Sequence, residues 1–349
     1  MSPVHLSGRT KLLFWVPLFL ITIVFIGFRH EVGGDWENYL QWYDRVTQET
    51  FAWTLTGKDS GYLVVNWLAY RFGWGIYGVN VVCSSVLALS LGYFCSKQPL
   101  SSVAWLVSIP YFLIVVGMGY TRQSVALGLF FLALIVLQEK RIWVYGLILI
   151  VAATFHTSIL LFLSLVLLWV DKDFAQKVKD RVLKNKTLSL LETIGIVILI
   201  CAIVVLGIKN YFMFKSQISA YLFSDYWESK GGLVRALMNV GPALCLIIGK
   251  RAWEKVFGKY RIWYGMSWLA ILVLLATFFS TTFADRIGLY LLPLQLYFFS
   301  RVPLLFSDRT VRSWVIVSIC ALYGLILWVW LEHADHAYYW VPYNNVLFH

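Results

Sequence analysis

The chain has 349 residues, of which 60% are apolar and 13% are charged, and its mean hydropathy is +0.73. A soluble domain has roughly 45–50% apolar and about 25% charged residues, so this composition excludes an ordinary globular enzyme. The formal net charge of +11 is compatible with nucleic-acid binding, but the distribution of the charges along the chain argues against it.

Apolar stretches long enough to cross about 30 Å of hydrocarbon recur from one end of the sequence to the other. We therefore expect an all-α, polytopic integral membrane protein. The eleven predicted membrane segments are 12–28, 76–95, 101–119, 123–138, 142–155, 157–170, 188–208, 233–249, 262–283, 287–300 and 313–331. The fifth and sixth are short, since a helix of about 14 residues reaches only about 21 Å. They are interpreted as a hairpin that enters and leaves on one side, with a single tilted helix as the alternative.

The basic residues set the predicted orientation. With the N-terminus in the cytoplasm, the hairpin interpretation puts most Lys and Arg residues on the cytoplasmic side, where positive residues are retained. Loops 171–187 and 250–261 are then basic and cytoplasmic, whereas loop 209–232 and the C-terminus are external. The basic excess thus follows from membrane topology, and anionic lipid, with no nucleic acid, is the expected partner of these loops.

The longest external stretch is residues 29–75, which we predict to contain amphipathic helices. Aromatic and aliphatic residues such as Trp36 and Tyr39 recur there at helical spacing, with charged residues on the opposite side. This pattern suits a helix that lies in the headgroup layer, and residues 62–71 form a second such segment. No internal repeat or linker is visible, so we expect a single integral membrane domain over residues 1–349.

Some basic residues remain on the external side against the orientation bias. Arg29 ends the first segment, and Arg122, Arg235 and Arg286 open the fourth, eighth and tenth segments. Each of them alone is explained as an anchor that extends to the membrane interface. Together they are either separate anchors or a ring around an outward cavity that binds an anion, for which the planar guanidinium is suited.

Arg122 is the most informative of these arginines. It follows a tight turn in Gly117-Met-Gly-Tyr-Thr-Arg-Gln123 and lies near the start of a helix. A positive charge there opposes the helix dipole, and a bound anion would relieve this unfavourable placement. The alternative interpretation is a loop arginine that extends to the headgroups.

Two residues are candidates for proton transfer. His156 lies between the halves of the predicted hairpin, where an ionisable side chain is costly and usually faces a cavity or a partner. Asp35 follows the first segment on the external side, as a general base would. The alternatives are a core histidine that donates to a carbonyl, and an N-cap, since Gly33-Gly34-Asp35 precedes an amphipathic helix.

The sequence indicates no metal and no cofactor. The five cysteines lie in or at the edge of apolar helices without CxxC spacing, so they are interpreted as small buried residues. Asp171-Lys-Asp173 falls in a basic loop, and His333-Ala-Asp-His336 lacks a further ligand.

The chain resembles the EpsG/Wzy family of bacterial polysaccharide polymerases through short motifs that span nearly its whole length in family order. These are Arg29, Val32-Gly-Gly-Asp35 and Tyr39; Gly61-Tyr62 with Asn66; Thr121-Arg122-Gln123; Phe155-His156-Thr157-Ser158; Asp285-Arg286 with Tyr290; and Val341-Pro-Tyr-Asn-Asn345. The resemblance implies a GT-C-like helical bundle in the bacterial inner membrane. It also implies a metal-independent glycosyltransferase that joins oligosaccharide repeat units, carried on undecaprenyl diphosphate, on the periplasmic or outer side.

The resemblance further implies partners and residue roles. The partners are the lipid-linked oligosaccharide, the bilayer, and a flippase or a chain-length regulator. The implied roles are catalysis for Asp35, His156 and Arg122; diphosphate binding for Arg29, Arg122 and Arg286; and sugar binding for Tyr39, Tyr62 and Tyr290.

Two other classes of protein stay open at this point. A flippase or transporter of lipid-linked sugar would use the same basic cavity without chemistry, although the matching repeats typical of transporters are not visible here. A membrane O-acyltransferase of surface glycan would need a catalytic histidine, a role available to His156. Product length discriminates, because loss of a polymerase leaves single units and loss of an acyltransferase leaves full-length chains without acyl groups.

Overall fold

A computed structural model describes residues 8–168, 231–259 and 261–348. Over these ranges the regular secondary structure is helical, and strand pairing is limited to one isolated bridge between Arg29 and Asn345. The predicted all-α class is therefore confirmed.

The chain divides into two compact units, and each is described by itself. Unit 1 comprises Met1–Ile135, Ile150–Thr157 and Gln295–His349, and unit 2 comprises Val136–Leu149 and Ser158–Leu294. The predicted features that lie outside the described residues are segment 188–208, loop 171–187 and residues 209–230 of the external loop.

The described helices run in chain order as follows. They are α1 (Gly8–Gly27), α2 (Trp36–Thr47), α3 (Phe51–Thr56), α4 (Ser60–Arg71), α5 (Gly75–Ser96), α6 (Ser101–Ser108, continued as a π-helix over Ile109–Gly117), α7 (Thr121–Gln138), α8 (Ile142–Ala153), a 3₁₀-helix (Thr157–Leu168), α9 (Gly232–Ile248), α10 (Lys250–Phe257), α11 (Arg261–Ala276), α12 (Thr281–Gly288, followed by a 3₁₀ turn, Leu289–Leu291), α13 (Leu292–Phe299, followed by a 3₁₀ turn, Val302–Leu305), α14 (Arg309–His333) and a 3₁₀ turn (Ala337–Tyr339).

Within the described residues, four helices are long and apolar enough to cross a membrane: Gly75–Ser96, Thr121–Gln138, Thr281–Leu305 and Arg309–His333. The pair α9 and α10, bent by 83°, makes a fifth if it is counted as one span. Further apolar helices are shorter, at Leu13–Gly27, Ser101–Gly117, Ile142–Ala153 and Arg261–Ala276. The chain is thus a multi-pass membrane protein, whereas the number of eleven segments stays a prediction.

In unit 1, α1 packs along α5, and α2 and α4 pack against each other and against α5. Helix α2 is amphipathic, because Trp36, Tyr39 and Val46 are buried while Glu37 and Asp44 on the other side are exposed. This arrangement removes the aromatic side of α2 from solvent and builds a layer of short helices on one end of α5.

The C-terminal segment after α14 folds back onto the same end of unit 1. The backbone N–H of Val346 donates to the carbonyl of Phe28 (3.0 Å), and that of His30 donates to the carbonyl of Asn344 (3.0 Å). The side chain of Trp340 donates to the carbonyl of Ile114 (3.0 Å). The C-terminal segment therefore ties the loop after α1 to the end of α6.

The region 142–168 is a hairpin. The hydroxyl of Tyr145 in α8 donates to the carbonyl of Phe162, 17 residues later, at 2.5 Å. In a continuous helix these residues would be about 25 Å apart. The chain must therefore reverse between them, at Thr154–His156, and the single tilted helix is excluded.

One predicted boundary in unit 2 is wrong. Segment 262–283 is not one helix, because α11 ends at Ala276 and the hydroxyl of Ser280 accepts from the backbone N–H of Phe283 (3.3 Å) as the N-cap of α12. The stretch 250–261, predicted as a basic cytoplasmic loop, contains helix α10. Basic residues on one side of α10 and a buried Trp253 on the other make it amphipathic, which a count of charges alone does not reveal.

Candidate active site

Arg122 lies at the start of α7 in unit 1 and forms an ion pair with Asp59. The Nη1 atom donates to Oδ2 of Asp59 at 2.8 Å. The Asp59 side chain is only 4% exposed, whereas that of Arg122 is 26% exposed. The anion expected to relieve Arg122 at the helix start is thus supplied by the chain itself, and the pair is accessible from the arginine side.

The local backbone explains why Asp59 reaches Arg122. Asp59 precedes α4 with a left-handed conformation (φ 57°), and its side chain makes no capping hydrogen bond to the helix. The carboxylate therefore turns away from α4 toward α7. Burial raises the pKa of Asp59 although the guanidinium of Arg122 opposes that change. Its second oxygen, Oδ1, is buried and has no hydrogen-bond partner in the described part of the chain.

Two tyrosines hold the guanidinium of Arg122 from other helices. Its Cζ atom lies 5.7 Å from the ring centroid of Tyr39 on α2 and 5.9 Å from that of Tyr62 on α4. The two rings are themselves 5.6 Å apart. Both tyrosines are buried, and burial raises the pKa of both phenols, which therefore stay neutral. The two rings are tilted against each other beside Arg122 and are almost fully buried. Sugar binding by Tyr39 and Tyr62 stays a prediction.

Arg29 is also buried, with 1% exposure. Its guanidinium donates to the carbonyl of Val32 (3.2 Å), the carbonyl of Ile26 (2.5 Å) and the hydroxyl of Thr121 (2.8 Å). Since Thr121 precedes Arg122 in the chain, Arg29 fixes the start of α7 relative to the end of α1. Arg29 is therefore a positioning residue for Arg122.

Asp35 occupies the N-cap position of α2, but its side chain makes no capping hydrogen bond. Its Oδ1 atom accepts a long contact from the amide of Asn38 at 3.4 Å. Asp35 is therefore the residue that precedes α2, as the N-cap interpretation predicts, but its carboxylate does not cap the helix. The carboxylate is half-buried at the edge of the α2–α4 layer.

The tip of the hairpin joins this layer through residues next to His156. The backbone N–H of Gly61 donates to the carbonyl of Thr154 at 2.8 Å, and Phe155 packs against the cluster that contains Tyr39 and Tyr62. A Cβ atom on Gly61 would lie 2.3 Å from Oγ1 of Thr154, so the close approach requires glycine. His156 follows immediately and is half-buried within unit 1.

The other predicted residues belong to unit 2. The guanidinium of Arg235 on α9 donates to the carboxylate of Asp285 on α12. The hydroxyl of Tyr290, which is buried, hydrogen-bonds to that of Ser158 at 2.9 Å. Arg286 follows Asp285 on α12. The structure thus brings together Arg29, Arg122, Tyr39, Tyr62 and the chain next to His156 in unit 1, while Arg286 and Tyr290 are in unit 2.

Asp59 is the residue of the site that the sequence analysis missed. One signal points to it, because a positive charge at a helix start is unfavourable and a nearby anion would relieve it. The residues of the described ranges hold no group of three or more His, Cys, Asp or Glu side chains that could bind a metal ion.

The helices and this cluster define a class of protein. It is a multi-pass membrane protein in which a partly exposed arginine, Arg122, contacts a buried carboxylate and two tyrosines. The chain belongs to the EpsG family, whose match covers residues 12–345, nearly the whole sequence. Membership indicates a polysaccharide polymerase, a glycosyltransferase-type enzyme, as the general activity. No curated protein and no solved structure matches the chain.

Proposed function

We propose that the chain polymerises oligosaccharide repeat units carried on undecaprenyl diphosphate, on the external side of the bacterial cytoplasmic membrane. The growing glycan on its lipid diphosphate is the donor, and the terminal sugar of an incoming lipid-linked unit is the acceptor. The N-terminus is cytoplasmic and the C-terminus external. A flippase that delivers the units and a chain-length regulator are the proposed protein partners.

The observation that carries this proposal is the partly exposed guanidinium of Arg122 in a chain of this family. The guanidinium at this helix start is held by Asp59, Tyr39 and Tyr62 and is still 26% exposed, so its exposed part is open to a second anion. A guanidinium binds phosphate through parallel hydrogen bonds, so it suits a diphosphate leaving group. Arg286 stays a proposed diphosphate ligand, and Arg29 acts by positioning.

The proposed reaction is a metal-independent glycosyl transfer. The acceptor hydroxyl attacks the anomeric carbon, its new C–O bond replaces the bond to diphosphate, and the transition state is oxocarbenium-like. Arg122 neutralises the charge that develops on the departing diphosphate, and fixed cations do this with little reorganisation. Asp35 or His156 accepts the hydroxyl proton.

The test is polymerisation by purified protein reconstituted in vesicles with lipid-diphosphate repeat units, read as a ladder on a gel. Arg122→Gln should lower the rate by about 10²–10³-fold, the usual cost of one transition-state donor. Arg122→Lys keeps the charge without the planar fork and should give an intermediate rate. Arg71→Gln, an exposed arginine on α4, is the matched control and should polymerise normally. Full activity of folded Arg122→Gln protein would refute the proposal.

A further inference from the structure

A small cavity lies in unit 1 between the loop before α2 and the C-terminal 3₁₀ turn. Its volume is about 110 Å³, and its lining residues are Glu31, Gly33, Gly34, Trp36, Glu37 and Tyr339. This volume is well below the roughly 300–1,000 Å³ typical of sites for drug-sized ligands. The cavity therefore fits one ring of a ligand and not a whole oligosaccharide.

The backbone of the cavity is fixed before any ligand arrives. The N–H of Gly33 donates to the carbonyl of Tyr339 at 2.9 Å, which joins the two walls. Gly33 has a positive φ of 103°, and a Cβ atom there would lie 2.4 Å from the carbonyl oxygen of Met118. Only glycine fits this position, so the loop that carries the cavity is held against the turn before α7.

The side chains around the cavity combine an aromatic surface with hydrogen-bonding groups. Trp36 is 5% exposed, and its indole N–H is buried with no acceptor in the ranges that the structure describes. Tyr339 is 40% exposed. The Glu31 carboxylate is 64% exposed and lies 3.7 Å from Nε2 of His30, and Glu37 is exposed on the first turn of α2.

These groups match the chemistry of a sugar ring. Carboxylates accept hydrogen bonds from sugar hydroxyls, and an aromatic face packs on the C–H groups of the ring. Two carboxylates repel a diphosphate. The lining thus favours a hydroxylated ligand over an anionic one.

We propose that this cavity is the subsite for the terminal sugar of the acceptor, which rests on the proposed polymerase function. Trp36 lines the cavity and also packs in the cluster that contains Tyr39 and Tyr62, the two rings that hold Arg122. The acceptor subsite and the diphosphate site therefore share one wall. Asp35 is next to two lining residues, Gly34 and Trp36, in the sequence. His156, the other proposed base, is not adjacent to any lining residue.

The test is direct binding of sugar without lipid or diphosphate. The probe is the free repeat-unit oligosaccharide, released by mild acid from the lipid-linked pool of cells that lack this chain, observed by saturation-transfer NMR on the full-length protein in nanodiscs. Wild-type protein should transfer saturation to the terminal sugar. Glu37→Gln removes the charge from a hydrogen-bond acceptor, and Tyr339→Ala removes an aromatic face. Each should weaken binding by at least about tenfold.

Matched controls separate this subsite from the diphosphate site. Asp44→Asn removes another exposed carboxylate of α2 and should bind sugar as the wild type does. Arg122→Lys should bind the free sugar normally while it polymerises slowly. Absence of binding by wild-type protein, or unchanged binding by both Glu37→Gln and Tyr339→Ala, would overturn the subsite. Polymerisation by the same wild-type preparation would leave the proposed function standing in either case.

Discussion

Removal of Arg122 should make the stability of this protein depend more strongly on pH through Asp59. In the wild type the buried carboxylate of Asp59 has a cation 2.8 Å from Oδ2, while Oδ1 has no partner in the described residues. Arg122→Gln keeps much of the side-chain volume but leaves both oxygen atoms without a charged partner. Loss of one member of a buried ion pair costs roughly 3–5 kcal/mol, and the partial exposure of Arg122 favours the lower value, about 3 kcal/mol.

The sign of the pH dependence follows from the direction of the pKa shift. Burial already raises the pKa of Asp59 in the wild type, and the loss of the opposing guanidinium raises it further. The carboxyl of Asp59 then binds its proton more tightly in the folded state than in the unfolded state, where its pKa is about 3.9. Stability is thus full below that value and is lost as the pH rises through the higher folded value. Arg122→Gln should be nearly as stable as wild type in acid and clearly less stable at neutral pH.

The assay is thermal unfolding of purified protein in nanodiscs between about pH 4 and pH 8, the range over which a raised carboxyl titrates. A loss of about 3 kcal/mol corresponds to a fall in Tm of roughly 4 °C at neutral pH for a chain of 349 residues. Asp59→Asn/Arg122→Gln should lose this pH dependence, because the titrating group is gone, and Arg71→Gln should behave as wild type. A pH-independent deficit in Arg122→Gln, or the same slope in the double variant, would refute the reasoning.

Three further results are expected. Gly33→Ala should destabilise the protein by more than about 1 kcal/mol, since its φ of 103° and the approach of Met118 both oppose a side chain; normal Tm would contradict this. Tyr145→Phe should cost about 1–3 kcal/mol in unfolding, because the carbonyl of Phe162 loses its buried donor, and an unchanged Tm would count against the hairpin contact. A chelator such as EDTA should leave polymerisation in vesicles unchanged, and loss of activity that Mg²⁺ restores would show that the reaction needs a metal.

The sequence was sufficient for the features that depend on local pattern. The helical class follows from long apolar stretches, and the buried side of α2 follows from the spacing of Trp36 and Tyr39. A reversal between Tyr145 and Phe162 is favoured by two apolar segments that are each too short to cross, and the contact between these residues excludes the tilted helix that the sequence left open. In all three cases neighbours along the chain determine the structure, so a periodicity or a length carries the information.

Contacts between distant residues could not be derived in this way. Asp59 and Arg122 are 63 residues apart, and the left-handed backbone of Asp59 directs its carboxylate away from the helix that it precedes. Arg29 was expected to face an external cavity, yet two of its acceptors are backbone carbonyls and the third is Thr121, 92 residues away. A sequence shows the charge of such a residue but not the acceptors that the fold brings to it.

The buried contacts of Arg29 help to fix the position of Arg122. A guanidinium loses hydration when it is partly buried, and here the carboxylate of Asp59 and the faces of Tyr39 and Tyr62 compensate for that loss. Arg29 in turn fixes Thr121, and with it the backbone from which Arg122 extends. Because these contacts are all made within unit 1, the orientation of the cation is determined before substrate binds. Under the proposed function, a diphosphate would meet a charge that is already in place, which is the condition under which fixed cations accelerate the departure of an anionic group.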